Sequence, residues 1–203
     1  MMSLRLRFLC TALFALTLSI ENSVASVLDD VWAAQSEGAF KLFLDDGNSL
    51  TRARLEKCLS KKDFKNGFLE IECDDFVNRF QAAIFQATGG RRILVFVEDG
   101  ASVENSYYLE RVAGKWVDVR EKVFPAITDA TLKKAYLKAF PEKEKSIDAS
   151  LAQSAHSRYR TSLPRKGTTI TLEAGLSFER RTLFHLAWDR KKGQFQFSES
   201  WLK

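Results

Sequence analysis

His156 and His185 are the only two histidines in the chain, and so the only side chains whose ordinary pKa lies near neutral pH. They stand far apart in sequence and neither has a partner at ligand spacing on one element. A zinc site or a serine triad would therefore have to be assembled by the tertiary fold. Carboxylates pair as Glu70 with Glu72 and as Asp74 with Asp75. Glycoside hydrolysis needs two acids facing each other across a cleft, one of them kept protonated. Glu70 and Glu72 fall instead on the outward parity of a predicted strand, with Asp74 and Asp75 at its end, a pattern that fits a solvated face and turn chemistry. There is no nucleophile elbow, no phosphate-cradling glycine loop, no dinucleotide fingerprint and no His-Glu-x-x-His pair. The residues predict no catalytic group, no metal and no cofactor.

Charge placement is the one uneven feature. Residues 149–203 hold ten Lys and Arg against four acids, and 149–172 hold no acid at all. With a strand at 157–163, His156, Arg158 and Arg160 share one face, and the turn Pro164-Arg165-Lys166-Gly167 adds two cations at its end. Arginine grips phosphate, sulfate or carboxylate through two parallel N–H donors. Arg158, Arg160, Arg165 and Lys166 are thus the candidate ligand-binding residues, for an anionic envelope component or an acidic protein. Nucleic acid is a poor match: the formal charge is only +5, and Tyr159 alone offers little base stacking. Aromatic residues make up 12% of the chain, and most fall at core parity on predicted strands.

The amino terminus explains which partners the chain meets. Arg5 and Arg7 precede an apolar run from Phe8 to Ile20, followed by Glu21-Asn22-Ser23 and the small residues Ser23 and Ala25. This is the layout of a cleaved signal peptide spanning 1–25. The run is shorter than the ~20 residues that a membrane span requires, so a soluble, monomeric, periplasmic or secreted protein comprising 26–203 is expected, as one domain. Cleavage removes Cys10 and leaves Cys58 and Cys73, an even pair in an oxidising compartment and the signature of one disulfide. Two rival classes remain: an envelope hydrolase with a carboxylate or histidine site made only in the fold, and a secreted enzyme inhibitor presenting a loop near 99–106, 141–157 or 189–193.

The elements that must position these residues are mostly hairpins. A helix is expected from Ser26 to Ser36, with Asp29 and Asp30 favourable at its positive end. Residues 38–44 read equally as helix or strand, and 45–48 as a turn. A second helix is capped by Ser49 or Thr51 and runs through Leu59, with Leu55 and Cys58 on its buried face. Phe68 to Cys73 alternates, with Leu69, Ile71 and Cys73 inward; a bridge would then staple helix to sheet. Hairpins flank Gly89-Gly90, Ala113-Gly114 and 189–193, and another strand covers 168–173. A helix from Asp129 to Phe140 stops at Pro141, and 141–157 reads as a mobile connection or frayed helix. The fold class that follows is α+β: a curled antiparallel β-meander sheet with two or three helices packed on it.

Overall fold

A computed structural model describes residues 26–42, 50–72, 74, 78–99, 104–148, 159–174 and 179–198 of the chain. The expected signal segment 1–25, the turn at 45–48, Cys73, Asp75, His156 and Arg158 lie outside the described residues, as do parts of the loops at 99–106 and 141–157.

Helix α1 (Val27–Ser36) starts at Ser26, whose hydroxyl accepts the Asp29 N–H while the Asp29 carboxylate accepts the Ser26 N–H. This reciprocal cap satisfies two amide groups that the first helical turn leaves without partners. Helix α2 (Arg52–Lys57) is capped by Thr51. Six strands follow: β1 (Leu59–Asp63), β2 (Phe68–Ile71), β3 (Arg79–Gln86), β4 (Arg92–Asp99), β5 (Glu104–Val112) and β6 (Lys115–Asp118). Two helices intervene, α3 (Arg120–Val123) and α4 (Asp129–Ala139), then a 3₁₀ segment over Pro141–Ser146. The chain closes with β7 (Tyr159–Ser162), β8 (Thr169–Ala174), β9 (Thr182–Asp189) and β10 (Gln194–Phe197). The class is α+β, and its main sheet is an antiparallel meander running β1 to β6 in chain order.

The meander does not carry all ten strands. β7 to β10 form a separate four-stranded antiparallel sheet in the order β10-β9-β8-β7. It covers one face of the six-stranded sheet, while α1 and α2 cover the other. Val95 and Val97 of β4 meet Ile170, Leu172, Phe184 and Leu186 of the second sheet, together with Tyr136 of α4. Leu94 and Phe96 of the same strand meet Val31, Leu55 and Phe40, which stacks on Phe96 with ring centroids 4.1 Å apart. The six-stranded sheet is therefore the middle of three layers. The unbroken apolar run Ile93–Val97 is what a strand buried on both faces requires.

Three expectations are corrected. Phe68 and Glu70 were expected to face water, yet both are buried, because their side of β2 lies beneath the second sheet rather than in solvent. The second helix was expected to reach Leu59, yet it ends at Lys57 and the chain turns straight into β1. The sequence Leu-Ser-Lys-Lys-Asp has weak strand propensity. It is extended because β2 supplies its pairing, with exposed lysines that suit an edge strand. The strand expected to run from Lys115 to Arg120 stops at Asp118, and Arg120 opens the short helix α3.

The hairpin signals locate the turns well. Gly89 and Gly90 both adopt positive φ, and so do Ala113 and Gly114. Gly193 combines positive φ (+65°) with close quarters: a Cβ there would lie 2.9 Å from Arg91 Nη1 and 3.3 Å from the Ala87 Cβ. Gly193→Ala should therefore lower stability by about 1–2 kcal/mol, read as a lower urea midpoint at unchanged slope. An unaltered midpoint would mean that this turn is not held against Ala87 and Arg91.

Candidate anion-binding cleft

At one end of the sandwich the two sheets part into a polar cleft of about 110 Å³. Arg79 and Gln81 enter from β3, Val97 and Asp99 from β4, Arg160 and Thr161 from β7, Glu173 from β8, and Arg180 from just ahead of β9. The period-two geometry explains the gathering. Arg79 and Gln81 continue the face of β3 that carries Ala83 and Phe85 into the inter-sheet core. Val97 and Asp99 do the same for β4. The apolar core thus runs out into charged residues where the strands reach the rim.

Behind the cleft sits Glu70, 1% exposed. Its Oε1 accepts from Lys61 Nζ at 2.8 Å and faces the Ser60 hydroxyl at 3.3 Å; its Oε2 accepts from Arg79 Nη2 and from Gln81 Nε2 at 3.1 Å. Burial pushes the Glu70 pKa up, but the hydrogen bonds from Lys61, Arg79 and Gln81 outweigh it and bring the value down to about 2. The carboxylate is ionised near neutral pH and has no proton to give as a general acid. Gln81 also accepts the Leu163 N–H at 3.0 Å, so one carboxamide joins the Glu70 network to the second sheet.

The cleft cations differ in how they are occupied. Arg180 Nη2 lies 3.3 Å from Asp99 Oδ2. Arg79 gives Nη2 to Glu70, and its Nε is buried without a hydrogen-bond partner. Arg160 Nε is likewise buried and without a partner, and the guanidinium makes no ion pair among the described residues. Two orphaned guanidinium N–H groups on one cleft are the arrangement that an anionic oxygen would complete, since buried donors are nearly always satisfied.

Of the four residues singled out by sequence, Arg160 is in the cleft. Arg158 lies outside the described residues. Arg165 pairs with Asp63 at 3.2 Å, beyond the far end of β7, and Lys166 is exposed beside it. Arg79 and Arg180 were not singled out; they come from segments distant in sequence, and only the sheet stacking brings them to Arg160. His185 is exposed on β9, with Nδ1 3.3 Å from the Thr171 hydroxyl. It borders a second cavity, of about 310 Å³, with Ala135, Lys138 and Phe184. Among the described residues no three His, Cys, Asp or Glu side chains gather as metal ligands, and no helix is long and apolar enough to cross a membrane. No family model, no curated protein and no solved structure matches the chain.

Proposed function

We propose that this chain is an exported binding module without a catalytic role, and that it takes an anionic group of its partner into the cleft of Arg79, Arg160 and Arg180. The observation that carries this reading is the pair of buried, unpartnered Nε groups on Arg79 and Arg160. A phosphate, sulfate or carboxylate oxygen supplies the missing acceptor, and Arg180 lines the same cleft with Asp99 as its ion-pair partner. The low pKa of Glu70 supports binding over acid catalysis at this site, because that carboxylate serves to hold Arg79 in place.

Export is supported by the position of the reciprocal cap of α1, which begins at Ser26, directly after the bond at which cleavage is expected. A Cys58–Cys73 disulfide belongs to the same proposal. Cys58 is 3% exposed, and the Glu72 N–H donates to its carbonyl at 2.9 Å. The chain is thus brought back against Cys58 one residue before position 73. The bridge would then close the open end of the β1–β2 hairpin.

Titration with inorganic phosphate, sulfate and citrate, followed by thermal unfolding, tests the cleft. An anion present at a hundred times its Kd stabilises by about 2.7 kcal/mol. Arg160→Ala should weaken that affinity about tenfold or more, equivalent to about 1.4 kcal/mol, while leaving the anion-free midpoint nearly unchanged. Equal stabilisation of wild type and Arg160→Ala by every anion would overturn the reading.

A further inference from the structure

The opposite end of the sandwich gathers five hairpin turns, and it is basic. The β1–β2 and β3–β4 turns lie side by side because the Ile84 N–H donates to the Gly67 carbonyl. The β5–β6 turn joins them through the β4–β5 pairing. The second sheet adds its own two turns: Arg165 reaches Asp63, and the Thr88 N–H donates to the Arg190 carbonyl. Across these five segments (62–67, 87–92, 111–115, 163–168 and 189–193) the sequence carries eleven Lys and Arg against two Asp.

The acids that reach this end are already engaged. Asp63 holds Arg165, Glu110 holds Arg91, Glu37 holds Arg111, and Asp189 accepts the backbone N–H groups of Lys191 and Lys192. By contrast Lys62, Lys65, Lys115, Lys166, Arg190 and Lys191 are exposed and make no ion pair among the described residues. Among the described residues, the exposed large apolar side chains belong here too. Phe64 (43% exposed) stands on the β1–β2 turn and Val112 (49%) beside the β5–β6 turn, with Val117 on the adjoining strand.

We propose that this end of the molecule docks on a bilayer surface rich in anionic headgroups. Unpaired lysines at turn tips are attracted by the negative surface potential, each raising membrane partitioning about fivefold. Phe64 and Val112 stand among those cations, where they can enter the boundary between headgroups and acyl chains. A soluble polyanion would use the cations but has no need of the exposed Phe64, and that difference selects the bilayer over a glycan or nucleic acid. The surface is separate from the Arg160 cleft and does not rest on it; docking by the turns leaves the cleft facing away from the membrane.

Co-sedimentation with vesicles tests the assignment. The full chain is expressed in a host that processes exported proteins, and wild type is compared with variants in the same form. Binding is expected to 70:30 phosphatidylcholine:phosphatidylglycerol vesicles at low salt, with release at high salt and little binding to phosphatidylcholine alone. Lys65→Glu with Lys166→Glu should reduce partitioning tenfold or more. Phe64→Ser should reduce it severalfold while leaving elution from heparin unchanged. Arg160→Ala should leave vesicle binding at the wild-type level. No binding of wild type to the anionic vesicles would overturn the proposal. So would a Phe64→Ser protein that sediments like wild type, which would mark a polyanion site, or loss of binding in Arg160→Ala, which would place the lipid contact in the cleft.

Discussion

Glu70→Ala should destabilise the fold by about 3 kcal/mol, because it removes a buried carboxylate whose hydrogen bonds from Lys61, Arg79 and Gln81 hold its pKa at about 2. The variant leaves Lys61 and Arg79, both partly exposed at the rim of the inter-sheet space, without the carboxylate that joins them. It also deprives Gln81 of its acceptor on Glu70. The same carboxylate sets an acid limit. Its folded pKa of about 2 lies below the ordinary glutamate value of 4.5. The stabilisation is therefore complete above about pH 4.5 and is lost as pH falls toward 2. The shift corresponds to about 3 kcal/mol. Urea titrations of wild type and Glu70→Ala at several pH values check both claims: the gap between the two proteins should be widest near neutrality and narrow below pH 4. A gap that stayed constant to pH 2.5 would show that the ionised form of Glu70 contributes nothing.

Opening the proposed Cys58–Cys73 bridge should have an effect of similar size. A crosslink closing a loop of about 15 residues removes unfolded-chain entropy equivalent to about 3 kcal/mol. For a protein of this length that is a drop in melting temperature on the order of 10 °C. The effect should appear both on adding reductant to the wild type and in the Cys58→Ala/Cys73→Ala double variant, and reductant should then do nothing further to the variant. Thiol alkylation of both cysteines in untreated, exported protein would refute the bridge outright.

How far the sequence could be read depended on whether the signal was local. Gly89-Gly90, Ala113-Gly114 and the run 189–193 each carry their own turn chemistry, and each closes a hairpin with the expected strands on either side. Helix α4 announced itself by Leu132 and Tyr136 on one face and Pro141 after its end. What failed was the inference from alternation to solvent. Polar Glu70 on a strand reads as outward only if one face of the sheet is open, and nothing in residues 68–73 reveals that a second sheet, built almost a hundred residues later, covers that face. β1 was illegible for the converse reason, since its lysines suit an edge and only β2 makes it a strand. The cleft followed the same rule. Arg160 stood out as a cation on a short strand, whereas Arg79 and Arg180 became its neighbours only when the layers stacked.

The middle position of the six-stranded sheet has a consequence for how the molecule comes apart. Stripping off the helical layer bares Leu94 and Phe96, and lifting away the second sheet bares Val95 and Val97 of the same strand. Neither cover can leave without exposing apolar surface on a strand that the other still needs. Loss of either should therefore propagate to both, giving a single cooperative transition with no half-dismantled intermediate at equilibrium.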